Sequence, residues 1–154
     1  MLSIPVNFKW FTTLFALLAL LLSGCASVPM GSIENDAKAK TFSAPSPGTA
    51  GLYIYRNSAV GQALTKSLSI DGKSIGKSAN KVYFYKEVPP GTHTIATESE
   101  FSDNTLEIAV EAGKLYFIRQ YIKLGLFVGG ANLEVVAEDV GRKDVLECSI
   151  AQSP

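Results

Sequence analysis

The chain is poor in the residues that chemistry at a protein site usually draws on. Its 154 residues include one histidine, His93, and two cysteines, Cys25 and Cys148. One imidazole and two isolated thiols without a C-x-x-C spacing supply no zinc framework. An excess of one charge is also missing, since Lys plus Arg and Asp plus Glu number 14 each. Nucleic acids and acidic polymers are bound through clustered cations, so composition argues against both as partners. No P-loop, dinucleotide fingerprint or Ser-His-Asp spacing occurs. Beyond residue 22 no stretch is long or apolar enough to span hydrocarbon. These absences lead us to expect a protein that is not an enzyme and holds no metal or cofactor.

What is present starts at the N-terminus. Lys9 precedes the apolar run "WFTTLFALLALLL" at 10–22. As a helix that run is about 20 Å long, too short for a bilayer and typical of a secretory signal peptide. It ends in Leu22-Ser23-Gly24-Cys25, which resembles the lipobox of bacterial lipoproteins. Small residues let an extended backbone enter a peptidase cleft, and the thiol is the strongest nucleophile available for acylation. The resemblance implies cleavage before Cys25, a thioether-linked diacylglycerol on its sulfur and N-acylation of the new amine. One acyl chain anchors marginally, whereas two or three hold stably. Ala26 and Ser27 follow the cysteine, where an Asp would signal inner-membrane retention. The resemblance therefore implies lipid anchoring in the outer membrane of an organism with two membranes, with the domain facing either the periplasm, the side favoured, or the cell surface.

Residues 25–48 are small, polar and Pro-containing, which predicts a flexible tether. About 20 such residues give a root-mean-square reach of roughly 25 Å. A transient helical turn from Ser32, with Glu34 and Lys38 spaced i,i+4, is the local structure expected there.

From 49 to 152 the pattern becomes short alternating segments cut by Gly, Pro and Asp. "GLYIYR" (51–56) places Leu52 and Ile54 on one strand face, Tyr53 and Tyr55 on the other. "SLSIDGKSIG" (67–76) predicts a hairpin closed on Asp71-Gly72 in a type I′ turn, with Leu68 across from Ile75. "KVYFYKEV" (81–88) carries aromatics on both faces, and Pro89-Pro90-Gly91 then predicts a type II turn. Further strands are expected at 92–99, 105–112, 114–123 and 131–139, while 140–150 is open between a short helix and an edge strand. Seven to eight strands without a long amphipathic helix predict a mainly β fold, a single antiparallel β-sandwich. The expected division is thus a signal peptide at 1–24, a tether at 25–48 and the sandwich at 49–152.

Specific residues carry a second resemblance. Ile70-Asp71-Gly72, Ile75-Gly76, Tyr83-Phe84-Tyr85, Pro89-Pro90-Gly91, His93, Ala112-Gly113 and Tyr116 through Gln120 follow one another in order. This series resembles an uncharacterised bacterial lipoprotein domain, the domain-of-unknown-function family 2846, over roughly residues 49–148. The hairpin and PG turn alone bear a weaker likeness to PEGA-type repeats. The resemblance implies a compartment but no catalytic residues.

Each candidate residue admits two roles. His93, just after a turn, is either a general base or a strand residue bonding locally. Tyr53, Tyr55, Tyr83 and Tyr85 are either a contact surface for protein, glycan or small molecule, or packing residues. Leu126, Phe127 and Val128, between glycines, either present an apolar tip to a partner or fill the core. Arg56 and Arg119 either meet a ligand anion or form cross-strand ion pairs. Cys148 is a buried small hydrophobe or an intermolecular disulfide site. The function expected is that of a non-enzymatic, membrane-anchored module meeting an envelope protein or glycan. The alternative is a small-molecule or glycan binder using the aromatic surface.

Overall fold

The computed structural model describes residues 27–123, 125 and 129–154. Cys25 and the tip Leu126, Phe127 and Val128 lie outside the described residues. In chain order the elements are α1 (Ile33–Ala39), β1 (Ala50–Arg56), β2 (Lys66–Ile70), β3 (Lys73–Ser78), β4 (Val82–Val88) and β5 (Gly91–Thr97). They continue with β6 (Asn104–Val110), β7 (Leu115–Lys123), β8 (Gly130–Val136), α2 (Glu138–Leu146) and β9 (Ser149–Ile150). The strands form two sheets, one ordered β8-β7-β1-β4-β9 and the other β3-β2-β5-β6. The fold is mainly β and sandwich-like, as the alternating segments require.

Leu52, Ile54, Phe84 and Ile118 from the first sheet meet Leu68, Ile95, Ile108 and Val110 from the second in an aliphatic inner core. Every residue of β1 is buried, on both faces. The outer face carries a second apolar cluster of Tyr53, Tyr55, Tyr83, Phe117, Val145 and Cys148.

Four departures from the sequence expectation are instructive. The second sheet is wholly antiparallel, but in the first β1 lies parallel to β7 and β4 parallel to β9. A parallel pair needs a long crossover. For β1 and β7 that crossover is supplied by β4 and the entire second sheet. The 140–150 stretch holds both candidate elements, the end of α2 and then β9, which adds a ninth strand. The turn Asp71-Gly72 has the two positive φ values of type I′, 50° and 74°. A bulge then places Gly76 opposite Leu68, where Ile75 was expected. A β-carbon on Gly76 would sit 2.9 Å from Phe84 Cε1 on the facing sheet, so only glycine fits the bulge. Finally, Pro89-Pro90-Gly91 closes no hairpin; it carries the chain from β4 in one sheet to β5 in the other.

The tether expected at 25–48 is not what residues 27–48 form. Val28 packs against the inner core. Met30 bridges Ala151, and Gln152 N donates to Pro29 O. Ser32 caps α1 by accepting from Asn35 N, and the i,i+4 pair that forms is Asp36 with Lys40. Phe42 then drops its ring onto Tyr53. The physical reason lies in β1: a central strand with tyrosines on its second face needs a cover, and this strap provides it.

Candidate functional site

The tyrosines singled out from the sequence come together on the outer face of the first sheet. The alternation of β1 and β4 sends Tyr53, Tyr55, Tyr83 and Tyr85 to this side. Tyr53 is the hub, stacked on Phe117 at 5.0 Å and tilted against Tyr85 at 4.7 Å and Phe42 at 5.3 Å. Each phenol finds an internal acceptor. Tyr53 donates to Ala39 O at 2.6 Å and Tyr83 to Asp36 O at 3.3 Å, both on the strap. Tyr55 donates to Asp144 Oδ2 at 2.8 Å, on α2. Burial pushes the Tyr53 phenol up to about 12 and raises Tyr55 and Tyr83 as well, so all three stay neutral donors. Tyr53, Tyr55 and Tyr83 are therefore packing residues. Tyr85 alone of the four is half-buried, donating to Glu87 Oε1 at 2.9 Å beside a cleft of about 330 Å³. Lys38, Thr41 and Ser43 of the strap form its other wall.

Helix α2 seals the far part of this face. Gly141 approaches Phe117 so closely that a β-carbon would lie 2.3 Å from its Cβ. Below α2, Cys148 is 2% exposed with Sγ 3.3 Å from Asp144 O. Burial pushes its thiol up to about 12, which leaves it an inert apolar group.

His93 occupies a closed position. Its Nδ1 lies 2.6 Å from Asp71 Oδ2 and its Nε2 lies 2.8 Å from Pro89 O. Both partners are acceptors, so the doubly protonated ring satisfies both contacts. Hydrogen bonding to Asp71 accordingly raises the His93 pKa, and the same bond lowers that of Asp71. Asp71 Oδ1 also accepts from Thr94 N at 2.9 Å. The Asp-Gly turn, the Pro-Pro-Gly corner and the histidine of the sequence series are thus one clip joining the β2–β3 turn to the start of β5. With both nitrogens engaged, the ring is spent on structure rather than on proton transfer.

The inner face changes character at one end. Arg56 follows Leu52 and Ile54 on the same side of β1 but is fully buried as a charge. Its Nη2 donates to Gly61 O at 2.9 Å and Leu64 O at 2.8 Å, while Nε and Nη1 have no partner among the described residues. No carboxylate among the described residues meets it, contrary to the ion pair expected, and burial pushes its pKa below the guanidinium norm. Arg119 does form that cross-strand pair, with Glu134 at 2.7 Å. In the same layer Gln120 joins Ser78 and Thr97, donating to Thr97 Oγ1 at 2.6 Å. Above this polar end cluster the loops 57–65 and 98–103, with Gly129 and Gly130 at the start of β8. A β-carbon on Gly129 would meet Leu64, and one on Gly130 would meet Ser99. Phe101 is 80% exposed and Val60 51% exposed on these loops.

Sequence reasoning missed Arg56 as a loop organiser, Phe101, and the strap. One signal was available: β1 and β4 carry apolar or aromatic side chains on both faces. Among the described residues no three His, Cys, Asp or Glu side chains group to hold a metal ion. No helix among them is long and apolar enough to cross a membrane.

Comparison with known sequences agrees with these motifs. Residues 46–131 match the model of a family described as "Protein of unknown function (DUF2846)", more than half of the chain. The chain is 56% identical over 135 residues to an "Uncharacterized protein" of Haemophilus influenzae (strain ATCC 51907 / DSM 11121 / KW20 / Rd), covering 88% of this chain and 80% of that protein. No solved structure matches. This chain belongs to the DUF2846 family.

Proposed function

We propose that this member of the DUF2846 family is a non-enzymatic lipoprotein of the outer membrane, anchored through acylated Cys25, whose sandwich binds an envelope protein. The observation that carries the interaction role is Phe101, a large aromatic left 80% exposed on a loop cluster with Val60. Isolated exposed apolar residues are ordinary, but an aromatic ring exposed to this degree is the kind of anchor that protein interfaces bury. The chemically versatile groups, by contrast, are engaged internally: His93 in its clip, the buried tyrosines by backbone and Asp144, Cys148 beneath α2. The lipobox residues Leu22 to Cys25 support the anchor. Photo-crosslinking in cells from position 101, and from Phe127, tests the partner. Discrete protein adducts that vanish in Phe101→Ser support the proposal; their absence at both positions sinks it.

A second function is favoured by a separate observation, the cleft of about 330 Å³ between Tyr85 and the strap. A mono- or disaccharide would find Tyr85, Glu87, Lys38 and Thr41 as donors and acceptors there. Chemical-shift changes confined to these residues on glycan titration would favour it over the protein-binding role.

A further inference from the structure

The proposed anchor and the docked strap together constrain how the domain meets its membrane. Ser27, Val28 and Pro29 line a cleft of about 580 Å³ with Gly76 and Lys77 of β3 and Gln152 of the C-terminal segment. Their contacts are backbone hydrogen bonds and core packing: Gly31 N to Ile150 O at 2.9 Å, Gln152 N to Pro29 O at 2.9 Å, and Val28 against the inner core. The chain between anchor and domain is therefore not about 20 residues long. Cys25 is two residues from Ser27, and covalent geometry limits that span to about 7 Å.

The two outer strands of the second sheet differ in charge in the matching sense. Strand β3, beside Ser27, exposes Lys73 and Lys77. Strand β6, three strands away, exposes Glu107, and Glu111 beyond it is paired with Lys114. Anionic headgroups attract the first edge and not the second.

We infer that the short exit of the strap, together with the lysines of β3, seats the sandwich edge-on against an anionic lipid surface, with β3 and the 149–153 segment at the headgroups and β6 pointing away. The inference rests on lipidation of Cys25. It assigns to residues 27–48 the role of a rigid mount. It also leaves the loops bearing Phe101, which adjoin the β6 side, accessible to a partner in the aqueous compartment.

The register provides a ruler for the test. Ser74, Ser69, Ala96 and Thr105 lie across from one another on β3, β2, β5 and β6. Ser74 and Thr105 are both exposed, at opposite ends of this row, about 14 Å apart for three strand spacings. The full-length lipidated protein is purified as Ser74→Cys or Thr105→Cys, labelled with a fluorophore and reconstituted into phosphatidylethanolamine–phosphatidylglycerol vesicles bearing headgroup nitroxides. Buried Cys148 does not compete for label. Quenching several-fold stronger at position 74 than at 105 is expected, and ten Gly and Ser residues inserted between Ala26 and Ser27 should abolish the difference. Equal quenching without the insert, or a contrast that survives it, overturns the orientation. Mass spectrometry of the N-terminal peptide separates the two ideas. An unacylated Cys25 removes the anchor and the mount together, whereas an acylated Cys25 with equal quenching removes only the mount.

Discussion

Strand β1 borders two cores built on different principles. Its inner face, Leu52 and Ile54, belongs to an aliphatic layer closed by a second sheet. Its outer face, Tyr53 and Tyr55, belongs to an aromatic layer closed by the α1 strap and α2. Sheet against sheet buries branched aliphatics that need no partners. A thin cover of two short helices and a loop cannot exclude every polar atom, and tyrosines suit it because the ring fills volume while the hydroxyl pairs with an acceptor on the cover. The lesson is that residues of a secreted-type linker composition can be structural when they meet an aromatic surface.

Neighbouring residues on β7 give the sharpest way to break this comparison. Phe117 and Ile118 are each at most 1% exposed but face opposite cores. Phe117→Ala should cost about 3–5 kcal/mol and Ile118→Ala about 2–5 kcal/mol in denaturant unfolding. A cost below about 1 kcal/mol for Phe117→Ala would show that the outer layer is a loose cover and not a core. Gly141→Ala follows, at about 1–3 kcal/mol from overpacking, because its β-carbon would collide with Phe117. A smaller loss, about 0.5–1.5 kcal/mol, is expected for Tyr53→Phe, which leaves Ala39 O without its 2.6 Å donor. Hydrogen exchange should then accelerate in α1 while the β2–β5 ladder stays protected; uniform acceleration would mean the strap unfolds only with the whole domain.

The clip adds a pH dependence to the second sheet. The His93 pKa is raised by Asp71 above its ordinary value of 6.5, so its contribution is complete below 6.5 and is lost as pH rises through the raised value. The Asp71 pKa is lowered, so its contribution is present above its ordinary value of 3.8 and is lost as pH falls through the depressed value. Stability should therefore decline as pH rises above 6.5, and His93→Gln should flatten that limb; an unchanged profile in the variant would place the dependence elsewhere. The weakest effect is chemical: Cys148, its thiol pushed up to about 12, should resist a disulfide reagent at pH 8 until the protein unfolds. Rapid modification of the folded protein would expose α2 as a poor seal.

Much of the architecture was legible because it is written locally. Two-residue alternation marks β1 and β4, and Asp71-Gly72 specifies its turn through positive φ. The bulge at Ile75-Gly76 was not legible, since it answers to the Phe84 ring arriving from the other sheet. The parallel placement of β7 beside β1 was equally hidden, being a matter of which sheet the intervening strands join. Of the candidate site, the residue types were visible but not their employment. The tyrosines carry no mark in the sequence of whether water or a strap lies over them, and Arg56 looks like any strand-end cation until the carbonyls of Gly61 and Leu64 close on it.

The sequence by itself determined the strand alternation, the turn chemistry and the lipobox resemblance, because each depends on residues a few positions apart. Tertiary structure decided that residues 27–48 pack as a strap rather than hang as a tether, because burial of an aromatic face depends on surfaces that meet only after folding.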